Sequence, residues 1–133
     1  MAIIVMDIDR FKRINDIHGH AAGDNVLMAI AGVLREEARG GDITARWGGE
    51  EFIIFLPETT LAIAVEVAER YRRRIESIGL PVEDHVVSFT ASFGVATKSQ
   101  DEVSFETLIS EADKKLYEAK DHGRNTVAPA WSN

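Results

Sequence analysis

Hydrophobic residues recur along the chain with two different periods, which predict a mixture of strands and helices. Short apolar or β-branched runs bounded by charged residues, glycine or proline are typical of β-strands, and apolar residues three and four apart are typical of amphipathic helices. The predicted strands are Ala2–Met6, Ile43–Trp47, Glu51–Leu56, a short edge strand at Leu80–Val82, Val86–Thr97 and Asn125–Val127. The predicted helices are Phe11–Ile17, Asp24 to about Arg39, Thr59 or Thr60 to about Ser77, and Phe105–Ala119.

The order of these elements predicts the fold class. Strands alternate with helices, and the turn Gly48-Gly49 predicts one antiparallel hairpin between two neighbouring strands. We therefore expect an α/β protein of the α+β sandwich type, in which helices pack on a central, mostly antiparallel sheet. With 133 residues, of which 45% are hydrophobic, residues 1–133 are expected to form a single domain with its own core. The tail from Ala128 to Asn133 is expected to fray.

Two polar features of the helices have a structural interpretation besides a functional one. Asp24 is placed to cap the N-terminus of the second helix, which does not exclude contact with a ligand. The third helix carries an arginine cluster, which we interpret as a solvated face rather than as a nucleotide site. This cluster consists of Arg70, Arg72, Arg73 and Arg74.

The charge and composition of the chain limit its partners. A formal net charge of −7 argues against binding a nucleic acid polymer, whereas a single nucleotide can bind where metal ions and a few basic residues reverse the local field. The absence of cysteine excludes disulfides and thiolate metal sites and suits a reducing, cytoplasmic compartment. No apolar run approaches the roughly 18 residues of a membrane span, so no membrane contact is expected.

Carboxylates stand at the ends of two predicted strands. Asp7 and Asp9 follow the first strand, and Glu50 and Glu51 follow the turn Gly48-Gly49. Glycine lets a phosphate approach the backbone closely, and carboxylate oxygens are preferred ligands of Mg²⁺. If the two strands are neighbours, their acids can form an all-oxygen site suited to two-metal phosphoryl or nucleotidyl transfer. The alternative is that the two glutamates are solvated turn residues.

Further motifs accompany these acids in a fixed order along most of the chain. They are Asp7 to Lys12, Asn15-Asp16, Gly19-His20, Gly23-Asp24, Gly48 to Phe52, Ser92 to Ala96, Ala112-Asp113, Leu116-Tyr117, Ala119-Lys120 and Gly123 to Asn125. In sequence and spacing the chain resembles the GGDEF-domain diguanylate cyclases, the bacterial signalling enzymes that make cyclic di-GMP. The resemblance implies a fold similar to the palm of nucleotide polymerases and to class III nucleotidyl cyclases.

The resemblance also implies an enzyme that condenses two GTP into cyclic di-GMP and releases two pyrophosphates. Asp7, Glu50, Glu51 and the backbone carbonyl of Ile8 would hold the catalytic ions, two Mg²⁺ or Mn²⁺ per active site. Glu50 would accept the proton of the attacking 3′-hydroxyl. Lys12 would bind phosphate and stabilise the transition state.

Other residues match positions that contact the substrate in this family. Asn15 and Asp24 match the residues that recognise guanine. A carboxylate can accept hydrogen bonds from the ring N–H and the exocyclic amine of guanine together, whereas adenine offers no such pair of donors. For two of the remaining positions, Lys120 and Arg124, the alternative is a cation favoured by the C-terminus of a helix. The remaining substrate positions are Phe11, His20, Gly48, Gly49, Lys120 and Arg124.

Regulation and assembly follow from the same resemblance. Arg39-Gly40-Gly41-Asp42 matches the family's RxxD inhibitory site, where Arg39 and Asp42 would bind the product cyclic di-GMP; a helix-terminating loop is the structural alternative. Because one domain offers one GTP site, catalysis implies a transient or stable homodimer in which two sites face each other.

The chain departs from the family pattern at its beginning. The family's helix and Asp-x-Leu-Thr turn before the first strand are absent, so we interpret residues 1–133 as a catalytic domain truncated at its N-terminus. This puts turnover by this chain in question and places any regulatory domain elsewhere in a full-length protein. Two alternatives stay open: a catalytically idle module that binds GTP or cyclic di-GMP, and an adenylyl-type cyclase, which Asp24 and Asn15 disfavour.

Overall fold

The computed structural model describes residues 1–99 and 104–130, in which helices cover both faces of a β-sheet. The helices are α1 Phe11–His18, α2 His20–Glu37, α3 Leu61–Glu76 and α4 Phe105–Asp121. The strands are β1 Ala2–Ile8, β2 Ile43–Arg46, β3 Glu51–Leu56, β4 Gly79–Val82, β5 His85–Ser88, β6 Ala91–Thr97 and β7 Val127–Ala128. The predicted fold class is confirmed.

Strand β1 lies at the centre of a five-stranded sheet with the order β2-β3-β1-β6-β7. It is antiparallel to both neighbours, β3 and β6, whereas β6 and β7 run parallel. All seven residues of β1 are buried, which explains why the sequence shows a continuous apolar run there rather than an alternating pattern.

The two faces of the sheet carry separate parts of the core. Helices α2 and α3 pack on one face against β1 residues such as Ile4 and Met6. Helix α4 packs on the other face against Ile3 and Val5. Gly94 of β6 permits this second contact, because a Cβ there would lie 2.1 Å from the carbonyl oxygen of Ala112 in α4. The middle of α4 therefore lies close against β6.

Helix α2 begins earlier than the sequence predicts. It starts at His20, directly after Gly19, whose φ of 91° separates it from α1. Asp24 is the fifth residue of the helix, so its prediction as the N-cap is wrong. The glycine turn lets the chain reverse at once, and the residues after it adopt helical geometry without a side-chain cap.

The long predicted strand Val86–Thr97 is two strands, β5 and β6, and this prediction is wrong. Phe89, between them, is buried in the core, and the carbonyl of Thr90 accepts a hydrogen bond from the backbone N–H of Asp9 at 2.9 Å. These contacts turn the chain from a separate hairpin into the main sheet. The predicted edge strand accordingly forms β4, which pairs with β5 in a two-stranded sheet rather than with the main sheet.

Helix α3 begins as predicted, with the Thr60 hydroxyl accepting a hydrogen bond from the backbone N–H of Ile63 at 3.3 Å. The arginines of this helix are not simply solvated, because several of them form ion pairs with glutamates. Arg70 and Arg74 contact Glu37 of α2 at 3.1 and 2.7 Å. Their charges are therefore neutralised largely within the fold.

Two further expectations concern membrane contact and the C-terminal tail. None of the helices within residues 1–99 and 104–130 is long and apolar enough to cross a membrane. Ala128 of β7 pairs with Gly94 of β6, so the predicted fraying is wrong at the start of the tail. Residues 131–133 lie outside the described residues.

Candidate active site

An acid lies buried at the end of the central strand. Asp7 of β1 is opposite Glu51 of β3 on one side and opposite Ser92 of β6 on the other. The neighbouring strands leave Asp7 only 6% exposed. Burial raises the pKa of its carboxyl, and the ammonium group of Lys120, which forms an ion pair with Oδ2, acts in the opposite direction. Its Oδ1 is buried and has no hydrogen-bond partner among the residues that the structure describes.

The hairpin between β2 and β3 presents the two glycines to solvent. The guanidinium of Arg46 donates hydrogen bonds to the carbonyl oxygens of Gly48 at 3.2 Å and Gly49 at 2.6 Å, and the N–H of Trp47 donates to the carbonyl of Glu51 at 2.7 Å. Among the described residues, a Cβ at either glycine would meet nothing within 4 Å. The turn is therefore held by its own hydrogen bonds, and its glycines leave room for another molecule to approach the backbone.

Glu50 and Glu51 lie within the electrostatic field of Asp7. The pKa of each glutamate is raised, first by burial and next by the Asp7 charge, while Lys120 acts to lower both. Asp113 of α4 further raises the pKa of Glu51. These carboxyl groups make the end of the sheet strongly anionic, and such an environment attracts cations.

The oxygen donors suit a hard divalent cation, although they are not arranged as a complete coordination shell. Oxygen donors from carboxylates are what Mg²⁺ takes, and Oδ1 of Asp7 is a buried acceptor whose hydrogen-bonding capacity the described residues leave unused. Within the described part of the chain, no three histidine, aspartate or glutamate side chains are arranged as a metal-binding group. To bind an ion here, the side chains would have to rearrange, or a substrate would have to supply further ligands.

Two basic residues come from the C-terminal end of α4 and the turn after it. Lys120 is half-buried and forms an ion pair with Asp7 on the face of the sheet that α4 covers. Arg124 is exposed and has a left-handed backbone with φ of 63°, and its N–H donates to the carbonyl of Ala119 at 3.1 Å. The ion pair shows that Lys120 is more than a cation at a helix terminus, because its charge is directed at the acids.

Asp9 is a structural member of the site that the sequence did not assign. It is 7% exposed, and its carboxylate accepts hydrogen bonds from the hydroxyls of Ser92 at 2.6 Å and Thr90 at 2.7 Å and from the backbone N–H of Asn125 at 2.9 Å. These bonds connect the end of β1 to the turn that carries Arg124. The two-residue spacing from Asp7 was the available signal, but the partners lie more than 80 residues away in sequence.

Asn15 and Asp24 lie on a helical pair beside this sheet end. Gly19 joins α1 to α2, and its N–H donates to the carbonyl of Asn15 at 2.8 Å. The side-chain Oδ1 of Asn15 is buried, has no hydrogen-bond partner within residues 1–99 and 104–130, and points at Gly23, the residue before Asp24. The other predicted contacts on this pair differ in exposure: Phe11 packs against the core, and Lys12, His20 and Asp24 are exposed.

The RxxD loop lies apart from the acids, between α2 and β2. The backbone N–H of Arg39 donates to the Asp42 carboxylate at 3.0 Å, and the N–H of Asp42 donates to the carbonyl of Arg39 at 3.0 Å. Behind the loop, Tyr71 of α3 is buried, and burial followed by the charges of Asp42 and Glu37 raises its pKa to about 12. The loop is thus a compact turn with an exposed arginine.

A groove of about 370 Å³ is lined in part by Asp9 but not by the acid cluster, which consists of Asp7, Glu50 and Glu51. Apolar residues, including Ile14, Ile17 and Phe89, line it together with Arg10 and Arg13. The acid cluster instead lies beside the exposed hairpin tip. Chemistry there would take place on an open surface.

Comparison with known proteins gives this geometry a context. A family model described as diguanylate cyclase, GGDEF domain, matches residues 1–126. Diguanylate cyclase A of Treponema denticola is 41% identical over 133 residues, covering 100% of this chain and 36% of that protein. Diguanylate cyclase VdcA of Vibrio cholerae is 46% identical over 134 residues, covering 97% of this chain and 39% of that protein. The chain thus spans little more than a third of the length of these curated relatives.

Solved structures share the fold. The GGDEF domain of DgcB from Caulobacter crescentus, in complex with c-di-GMP, has a TM-score of 0.89 and 33% identity, covering 95% of this chain and 75% of that one. Diguanylate cyclase SiaD from Pseudomonas aeruginosa, in complex with its activator SiaC, has a TM-score of 0.90 and 38% identity, covering 96% of this chain and 48% of that one. With a family model matched from residue 1 to residue 126, the chain belongs to the GGDEF-domain family of diguanylate cyclases.

Proposed function

We propose that this chain condenses two GTP molecules into cyclic di-GMP with release of two pyrophosphates. The observation that carries the proposal is the register of β1 and β3, in which Asp7 is opposite Glu51 and next to the open turn Gly48-Gly49. An anionic strand end beside an uncrowded glycine turn suits a nucleotide whose phosphates arrive with cations. The names of the relatives as diguanylate cyclases agree with this chemistry.

Two Mg²⁺ or Mn²⁺ ions per active site are part of the proposal. Asp7, Glu50, Glu51 and the carbonyl of Ile8 would hold them, which agrees with the oxygen-only donor set and with the unpartnered Oδ1 of Asp7. Such ions neutralise phosphate charge and lower the pKa of a 3′-hydroxyl. Lys12 would bind phosphate from the exposed side of α1.

Glu50 is the proposed proton acceptor. Without bound ions, burial and next the charge of Asp7 raise its pKa above that of an ordinary glutamate. It would take the proton of the 3′-hydroxyl as that oxygen attacks the α-phosphate of the other nucleotide, and pyrophosphate leaves. Lys120 and Arg124 would contact the β- and γ-phosphates, assisted by the open backbone of Gly48 and Gly49.

Selectivity for guanine is assigned to Asn15 and Asp24. The Oδ1 of Asn15 is buried without a partner, so a donor from the base would satisfy an acceptor that otherwise stays unpaired. The exposed carboxylate of Asp24 can accept the ring N–H and the exocyclic amine together. Phe11 and His20 would complete the contacts to the nucleotide.

Catalysis is proposed to need two copies of the chain facing each other, in a transient or stable homodimer. One copy offers one GTP site on an open surface, and each 3′-hydroxyl must reach the other nucleotide. Two aromatic residues near the site are largely exposed, Trp47 at 58% and Tyr117 at 72%, and could contact the facing copy. The rate per chain should consequently rise with protein concentration.

Product feedback is proposed at Arg39 and Asp42. The exposed guanidinium of Arg39 can stack on guanine and bind phosphate, and the carboxylate of Asp42 can accept guanine donors. Because GTP is a cytoplasmic nucleotide, the reaction is proposed to be cytoplasmic. A regulatory domain would belong to a longer protein, in agreement with the larger size of the relatives.

Incubation with Mg²⁺ and either GTP or ATP, followed by mass analysis of the products, tests the proposal. Cyclic di-GMP from GTP and no product from ATP is the expected result. Binding of GTP without any product over a wide range of chain concentrations would favour an idle binding module, and a cyclic product from ATP would favour an adenylyl-type cyclase.

A further inference from the structure

The acid cluster contains its own cation. The ammonium group of Lys120, near the end of α4, forms an ion pair with Oδ2 of Asp7 across 113 positions of sequence. The Asp7 side chain is 9% exposed and that of Lys120 is 35% exposed, so the pair is shielded from bulk water mainly on the Asp7 side. An ion pair shielded in this way is less screened by salt than one on the surface.

The same ammonium acts on the neighbouring acids. It lowers the pKa of Glu50 and Glu51 against the effect of burial, so its charge partly neutralises the whole cluster. Within residues 1–99 and 104–130 no three acidic or histidine side chains form a metal-binding group. In this state the ammonium of Lys120 contacts Oδ2, and the other oxygen of Asp7, Oδ1, is buried, so an arriving divalent cation meets the ammonium at this carboxylate.

We propose that Lys120 is a resident counter-cation of the acid cluster, which a divalent cation must displace from Asp7, so that cation and triphosphate bind cooperatively. The inference rests on the proposed function and adds the order of events at the same residues. Without nucleotide, the ammonium competes with the cation for Asp7. With nucleotide, the phosphates accept the ammonium and release Asp7 to the cation.

Elementary electrostatics gives the direction of this effect. Two cations held at one carboxylate oxygen repel each other strongly where the dielectric is low. Lysine has a flexible stem and a compact charge, so it can exchange one anionic partner for another without moving the helix. By thermodynamic reciprocity, the factor by which nucleotide improves cation binding equals the factor by which the cation improves nucleotide binding.

Binding of Mn²⁺ to the whole 133-residue chain tests the inference without any need for turnover. Free Mn²⁺ is measured by electron paramagnetic resonance, first without nucleotide and then with 3′-deoxy-GTP, which lacks the attacking hydroxyl. The variant Lys120→Met removes the charge and keeps most of the volume. The matched control is Lys115→Met on the same helix, where the lysine pairs with Glu118 at 3.3 Å and is 41% exposed.

Without nucleotide, Lys120→Met should bind Mn²⁺ about tenfold more tightly or better than the natural chain, since a competing charge has been removed. The gain in Mn²⁺ affinity caused by 3′-deoxy-GTP should be smaller in this variant than in the natural chain. Lys115→Met should match the natural chain in both measurements. Lys120→Gln, also neutral but able to hydrogen-bond, should behave like Lys120→Met.

Unchanged or weaker Mn²⁺ binding in both folded Lys120 variants would overturn the inference, with folding checked by far-ultraviolet circular dichroism. The variant Asp7→Asn separates this failure from that of the proposed function. Loss of Mn²⁺ binding in Asp7→Asn supports the metal site, so an unchanged affinity in the Lys120 variants would then refute only the competition. Binding that survives Asp7→Asn would contradict the proposed metal site and the inference together.

Discussion

The side-chain Oδ1 of Asn15 occupies the space beside Gly23, only 1.8 Å from where a Cβ at that position would lie. A methyl group in Gly23→Ala would therefore push the amide of Asn15 away from its position. Because only the end of a side chain must move, the free energy of unfolding should change by less than about 1 kcal/mol. The affinity for GTP should fall about tenfold or more, since a buried acceptor for guanine is lost.

A control for this substitution lies on the same helix. At Gly32 the nearest atom to a new Cβ is a guanidinium nitrogen of Arg35 at 3.8 Å, an ordinary contact. Gly32→Ala should stabilise the chain by roughly 0.5–1 kcal/mol and leave GTP affinity unchanged. Calorimetric titration with GTP and urea unfolding measure both quantities. Equal GTP affinities in the two variants would contradict the role of Asn15.

The buried carboxylate of Asp9 should matter for stability as well as for the site. In Asp9→Asn one oxygen becomes an amide donor, so bonds from Ser92, Thr90 or the Asn125 N–H are lost. We expect a loss of about 2–3 kcal/mol, because hydrogen bonds to a buried charge are among the stronger ones. For a chain of this size this corresponds to a melting temperature roughly 10 °C lower.

Thermal unfolding followed by circular dichroism checks this expectation, with Asp16→Asn on the exposed side of α1 as the control. The control should change the melting temperature by about 1–2 °C at most. A similar small change in Asp9→Asn would show that the turn after α4 is held by other contacts.

The raised pKa of Glu51 predicts a pH-dependent gain in stability on its removal. Burial, then Asp7, raises this pKa in the folded chain, so the folded state binds the proton more tightly than the unfolded chain does. The associated stability is fully present below the unfolded pKa and is lost as pH rises through the folded pKa. Glu51→Gln should thus raise the melting temperature at neutral pH, by an amount that solvent screening of this partly exposed group keeps small.

This advantage should shrink as the pH falls toward 4.5, the ordinary pKa of a glutamate, because the natural side chain is then protonated as well. Differential scanning calorimetry at several pH values follows the difference. Glu66→Gln, on an exposed part of α3, should show no comparable gain. An equal gain at all pH values would mean that packing, rather than charge, separates Glu51 from glutamine.

The sequence predicted the strands that carry the site better than the side-chain contacts between those strands and α4. The apolar run before Asp7 and the glycine turn before Glu51 mark two strand ends, and both strands exist and are neighbours. The ion pair between Lys120 and Asp7 could not be predicted from sequence pattern, because it depends on how closely α4 approaches the sheet. That approach depends on the absence of a side chain at Gly94, which has no periodic signal.

Two local predictions failed for similar reasons. The alternation of β-branched residues continues through Phe89 and Thr90, so nothing in it marks the point where β5 ends and β6 begins; the burial of Phe89 in the core does. Asp24 has the chemistry of a helix cap, but Gly19 reverses the chain earlier. In both cases tertiary contacts or backbone freedom overrode a residue preference.

The RxxD loop predicts how the chain responds to its product. Arg39→Ala removes the exposed guanidinium while keeping the backbone N–H that bonds to Asp42 at 3.0 Å, so the turn should persist. The cyclic di-GMP concentration for half inhibition should rise about tenfold or more, because a charged contact to phosphate or guanine is lost. Initial rates with added product measure it, with Arg35→Ala, exposed on α2, as the control. Equal inhibition in Arg39→Ala and the natural chain would refute product binding at this loop.

The most direct measurement compares cyclic di-GMP formation by the natural chain and by Glu50→Gln, at saturating GTP with Mg²⁺ and at a high chain concentration. The substitution removes the proton acceptor and keeps the size of the side chain, so the fold and GTP binding should persist. The rate of product and pyrophosphate release should fall at least about 100-fold, the usual effect of losing a general base. Product formation by Glu50→Gln at the natural rate would contradict the account of this site.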